Sequence, residues 1–154
     1  MGHSCPNIYG DPAVLMPIIY TPEVKEKKKE FIYIPHYQNE AKAEQLSIDA
    51  NVVSMRTSDY KSVIDEICSS KKVISSSLHG IILAESYGIP AVFLNTWQKP
   101  YLFKFEDWYL STGRTPDYSI STFDEAIKMK VEAPQNINIL QNNLIETFPY
   151  DLWR

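Results

Sequence analysis

The chain has 154 residues, 44% of them hydrophobic and 22% charged, and 19 acidic against 15 basic side chains give a net charge of −4. That length and mixture suit one globular domain with a proper core, and the acidic balance argues against nucleic acid as a main partner while leaving room for a local cationic pocket. The apolar runs fall far short of a membrane span, the polar start with Pro6 does not read as a secretory leader, and Cys5 and Cys68 lack metal-ligand spacing, so both read as reduced thiols of a cytoplasmic protein.

Taken in order, residues 1–22 read as an extended lead-in in which Pro6, Pro12, Pro17 and Pro22 break any helix and Val14 to Met16 dock on the core. Lys25 to Glu30 is a charged, solvated stretch. Phe31 to Ile34 is a short apolar run, hence a buried strand. Glu40 to Leu46 fits a short helix, and Val52 to Ser54 a second strand. Ser58 or Asp59 caps a helix to about Cys68, with Val63, Ile64 and Ile67 on one face. A third strand ends at Ser75, and the helix from Leu78 runs to about Tyr87. Ala91 to Leu94 make a fourth strand. Phe103 to Leu110 reads as helical, Ser121 or Thr122 caps a further helix to about Lys130, and Asn136 to Thr147 closes the chain as a helix. Short apolar strands alternating with helices predict an α/β domain: a Rossmann-like three-layer fold around a mostly parallel sheet.

Ligands of such sheets bind at the carboxyl ends of the strands. Four polar clusters fall there by chain order alone: His36-Tyr37, Arg56-Thr57, Ser75 to His79, and Asn95-Thr96-Trp97. The third is the richest. Ser75-Ser76-Ser77-Leu78-His79-Gly80 reads as a strand end, a turn of small hydroxyl residues and a helix start. Ser77 is placed to cap the helix by accepting from the N–H of His79 or Gly80, and Gly80 lets another group approach the backbone closely. Free N–H groups and a partial positive charge suit an anion there, and His79 can donate to it. The plainer reading is an ordinary strand–helix turn with serine caps.

Ser75 to Pro90 (SSSLHGIILAESYGIP) resembles the signature of the polysaccharide pyruvyltransferases. Tyr9 to Ala13, Ile34 to Tyr37 and Phe103 to Trp108 resemble further segments of that family in the same order, so the likeness runs from about Cys5 to Arg114. It implies two Rossmann-like domains arranged as in GT-B glycosyltransferases, and transfer of a pyruvyl group from phosphoenolpyruvate to a sugar as a ketal. On that likeness residues 23–154 match the C-terminal domain, and residues 1–22 the lead-in from an N-terminal one, with Gly10-Asp11-Pro12 near the hinge. The implied partners are phosphoenolpyruvate as donor substrate, a sugar or glycan acceptor, free or lipid-linked, and either an N-terminal domain or a second copy of the chain. No separate cofactor and no metal are implied, and the isolated domain is expected to be inactive.

The resemblance also orders the candidate residues. His79 is the first candidate acid, since the family's Leu-His lies against the donor, and His36 is the second. Ser75, Ser76, Ser77, Leu78 and Gly80 form the donor and anion-binding turn. Relatives often carry Arg where this chain has Ser77, so the phosphate charge falls to another cation, with Lys104 and Arg114 as candidates. Lys104 and Asp107, three apart, are equally well explained as a surface ion pair. Glu85 and Asn95 are candidate ligand-binding residues. Glu85 sits on an apolar helix face, where a carboxylate needs a partner, and a lysine or arginine is the structural alternative. Two rival functions stay open: the nucleotide-sugar half of a GT-B glycosyltransferase, and a non-catalytic ligand-binding or interaction domain. Among the aromatics, Trp97, Tyr101 and Phe103 are candidates for a face that a partner domain covers.

Overall fold

Three short runs of apolar residues build the sheet. β1 (Ile32–Ile34), β3 (Val73–Ser75) and β4 (Ala91–Phe93) are buried along their whole length, as strands covered on both faces must be. The exposed pair β2 (Asn51–Val52) adds an edge. All pairings are parallel, in the order β2-β1-β3-β4. The computed structural model describes residues 10–23, 26–43, 51–96, 102–148 and 150. Cys5, Tyr9, Leu46, Trp97 and Tyr101, and the expectations placed on them, lie outside those residues.

Strand side chains alternate between faces, and the core divides accordingly. Ile32, Ile34, Val73 and Phe93 point into one cluster with Val63 and Ile67 of α3 (Tyr60–Cys68), Ile81 and Ile82 of α4 (Leu78–Ser86), and Phe105 and Trp108 of α5 (Phe103–Ser111). Tyr33, Ile74 and Val92 point into the other with Phe123 and Ala126 of α6 (Phe123–Lys128). Helices thus cover both faces of a parallel sheet, the three-layer arrangement expected from the alternating elements. Cys68 is free, and burial pushes its thiol up to about 11, which keeps it protonated.

The lead-in departs from expectation. Pro12–Leu15 form a 3₁₀ turn and Met16–Ile19 form α1. Pro12 and Pro17 stand in the first positions of these turns, where the missing N–H has no partner to lose; they start helices here instead of breaking them. Val14 is fully buried, as the docking expectation required. The other ends follow local chemistry. Asp59 caps α3 through the N–H of Ser62, and Thr122 with Glu125 forms a capping box on α6. Gly88, at φ +71°, closes α4 where a Cβ would be strained. Lys72 Nζ donates to the carbonyls of Ala126, Ile127 and Met129, pinning the end of α6 to β3. Two further helices among the described residues are α2 (Glu40–Ala43) and α7 (Ile137–Glu146).

The register sets up the site. Ile34 pairs with Ser75, and Ser75 with Phe93, so β1, β3 and β4 end level with one another. Residues 36, 76–77 and 94–95 leave the sheet along one edge.

Candidate functional site

The turn between β3 and α4 is held by its own serines. Ser75 Oγ donates toward the carbonyls of Ile34 (2.8 Å) and Ser77 (2.9 Å) and accepts from the Ser77 N–H (3.0 Å). Ser76 Oγ accepts from the His36 N–H (3.0 Å) and lies 3.3 Å from the Tyr33 hydroxyl. Both serines are fully buried. They lock β1, β3 and the helix start together, which makes them positioning residues. Gly80 serves the same end: a Cβ there would fall on Ser75 Oγ and press Ile34. The group that needs close approach is therefore the sheet itself. Ser77 occupies the N-cap position of α4 with extended backbone, yet its side chain makes no capping bond, so the expected bond to the N–H of His79 or Gly80 is not formed.

What this turn presents outward is cationic. A cleft of about 440 Å³ opens at the start of α4, lined by Ser77, Leu78 and His79 together with His36, Arg56 and Lys104. Tyr37 and Met55 also line it. The His79 side chain is 61% exposed, with Nε2 3.7 Å from Asp11 Oδ2 in an ion pair that exists when the ring is protonated. Asp11 is oriented by capping the opening 3₁₀ turn through the Ala13 N–H (2.8 Å). His36 stands at the end of β1; its Nδ1 accepts from the Gln38 N–H (3.4 Å), leaving Nε2 to carry the proton of the neutral ring. Burial, then the nearby Lys104, lower the pKa of His36, while Glu40 opposes them. Burial also lowers that of Lys104. Arg56 follows β2, where its N–H donates to Ser54 Oγ (3.0 Å), which in turn donates to Glu40 (2.7 Å).

Three expected site residues go elsewhere. Glu85, at the far end of α4, is 1% exposed. Its carboxylate accepts two bonds from the Arg114 guanidinium, at 2.7 and 2.6 Å, and one from Trp108 Nε1 at 2.7 Å. Arg114 also lies over the Tyr109 ring at 4.6 Å. Both charges are satisfied within the protein, so the structural alternative holds for Glu85, and Arg114 is not a cation of the cleft. Asn95 supports the fold as well: its Nδ2 donates to the Tyr118 carbonyl and its N–H to that of Ile120.

A model of the polysaccharide pyruvyl transferase family matches residues 1–98, which include His36, Arg56 and the whole Ser75–Gly80 turn. The chain belongs to that family. It is also 38% identical over 147 residues to an uncharacterized protein of Acanthamoeba polyphaga mimivirus, an alignment covering 88% of this chain and 45% of the relative. The chain thus spans less than half the length of the curated relative it matches. No solved structure matches significantly. Lys104 and Arg114 fall beyond the part the family model matches, and only Lys104 turns into the cleft. Arg56 joins the candidate residues in the cleft, and its place after β2 is the sequence signal for it. None of the described helices is long and apolar enough to cross a membrane.

Proposed function

We propose that the cleft at the start of α4 binds the phosphate and carboxylate of phosphoenolpyruvate, and that this domain supplies the donor side of a ketal-forming pyruvyl transfer to a sugar. One observation carries the reading: His36, Arg56, His79 and Lys104, from four different segments, converge on one helix start. Arg56 and Lys104 supply the charge that Ser77 lacks, and α4 adds its N-terminal N–H groups.

The chemistry asks for an acid, a charge-neutralising cradle and a proton acceptor. In the proposed sequence His79 protonates the methylene carbon of the donor, leaving positive charge on the carbon that bears the phosphate oxygen. A sugar hydroxyl adds there and gives up its proton, with His36 as the acceptor. The bond to phosphate then breaks, and inorganic phosphate leaves with its charge held by Arg56 and Lys104. A second hydroxyl of the same sugar adds to the same carbon, passes its proton to the departing phosphate, and closes the ketal. Bringing the reacting sugar hydroxyls into attack geometry takes both walls of an interdomain cleft, so the 154-residue chain alone is expected to bind donor and turn over little or none.

Thermal unfolding tests the donor reading. Phosphoenolpyruvate and inorganic phosphate should raise the melting temperature, and the rise should shrink in His79→Ala. Stabilisation by nucleotide sugars in place of phosphoenolpyruvate would instead assign the cleft to glycosyl transfer.

A further inference from the structure

The carboxyl edge of the sheet carries a second recess, of about 330 Å³, on the opposite face from the cationic cleft. Its floor is apolar: Leu94 and Phe123, with the Tyr33 ring edge-on to Phe123 at 5.2 Å. Its rim is neutral and hydrogen-bonding, formed by Asn39, Thr96 and Ser121, and none of its described lining side chains is charged. The 3₁₀ turn Tyr37–Asn39 separates the two hollows, with Tyr37 in the wall of the cleft and Asn39 on the rim of the recess. The Tyr33 hydroxyl beneath the recess meets the same Ser76 Oγ that accepts from the His36 N–H, so one buried serine ties the two hollows together.

The chemistry of the lining selects its guest. Among the described lining residues an anion finds no positive partner, and a wholly apolar group would make no use of the rim amide and hydroxyls. Asn39 Nδ2 and Thr96 Oγ1 meet across the rim at 3.4 Å, a long bond that a ligand hydroxyl can replace. A ring with hydroxyls at its edge and C–H groups on its face satisfies rim and floor together, the pattern of few polar groups on an apolar base expected of a small-molecule site. We infer that this recess is a subsite for a neutral pyranose ring of the glycan acceptor, adjacent to the sugar that reacts in the cleft. The inference rests on the pyruvyl-transfer reading for the identity of the glycan, and on the recess itself for the ring.

Amide NMR of the 154-residue chain, titrated separately with methyl pyranosides (glucoside, galactoside, mannoside) and with phosphoenolpyruvate, tests it. At least one glycoside should shift the Asn39 side-chain amide and the Thr96 and Ser121 signals, while phosphoenolpyruvate shifts those around His36, Arg56 and His79. Asn39→Ala and Thr96→Val should each weaken glycoside binding about fivefold, the scale of one neutral hydrogen bond, and leave phosphoenolpyruvate binding unchanged. The subsite is overturned if no glycoside shifts these signals, if glycosides shift only the cleft, or if both variants bind them as wild type does. Should a variant unfold, the wild-type shift map decides alone. Glycoside binding in the recess without phosphoenolpyruvate binding in the cleft would uphold the subsite and overturn the donor reading.

Discussion

Both ends of α4 carry ionisable side chains and use them in opposite ways. At its start an exposed histidine stands with Arg56, Lys104 and a second histidine around an open cleft. At its end a buried glutamate is closed off by an arginine and a tryptophan. Helix α5 repeats the contrast: Lys104 in its first turn reaches the cleft, and Arg114, just past its end, is taken up by Glu85. Arg114 and Glu85 close on each other inside the protein, whereas the His79 side chain at the open end is 61% exposed. The serines at the open end hold backbone, and the cations beyond them face outward.

The sealed end should respond most strongly to mutation. Arg114→Leu leaves the Glu85 carboxylate buried without its main partner, and should lower unfolding free energy by about 3–5 kcal/mol. The double variant Glu85→Met with Arg114→Leu should regain most of that loss, since a buried pair contributes little over well-packed apolar side chains. Denaturant unfolding of the three proteins measures it. A single variant as stable as wild type would mean that Glu85 reaches water, and would weaken the contrast between the two ends.

Gly80→Ala probes the frame beneath the open end. Its added methyl meets Ser75 Oγ and Ile34, and overpacking of this kind costs about 1–3 kcal/mol. Combining it with Ser75→Ala, which removes the colliding oxygen, should recover part of the loss in the same unfolding measurement. Next in size come the cations. Arg56→Ala and Lys104→Ala should each weaken phosphoenolpyruvate binding by about tenfold, the scale of one lost charge-assisted hydrogen bond, with melting in the absence of ligand nearly unchanged. Calorimetric titration reads this directly, and an Arg114 variant that stays folded should bind as wild type does.

Much of this architecture is legible in the chain. Apolar runs such as Ile32–Ile34 and Val73–Ser75 have one physical explanation, a strand covered on both faces, and they stand within a residue or two of expectation. The alternation of elements then places the ends of β1 and β3 together, which brings His36 and His79 to one cleft. Three features were not legible. Pro12 and Pro17 can start a turn as well as break one, and burial of Val14 decided the matter. Ser75 rather than Ser77 organises the helix start, because strand register brings Ile34 O within its reach. The pairing of Glu85 with Arg114 spans 29 residues, and no local pattern announces which of two nearby cations a buried carboxylate will take.

The smallest effect concerns His36 and the pH. Burial, then Lys104, set its folded pKa below the ordinary value, with Glu40 opposing. The unfolded chain therefore takes up a proton at higher pH than the folded chain does. By linkage this stabilising contribution is intact above about pH 6.5, the pKa of an unperturbed histidine, and is lost as pH falls through the lower folded value. Wild type should accordingly lose slightly more stability than His36→Gln between about pH 7 and pH 5. Lys104→Met should diminish the difference by removing one of its causes. A bound phosphate reverses the sign, because an anion favours the charged ring. Phosphate affinity should then rise as pH falls across the same window in wild type, and rise less in His36→Gln. If the two proteins gain affinity equally, His36 does not face the anion, and the open end of α4 is served by His79, Arg56 and Lys104 alone.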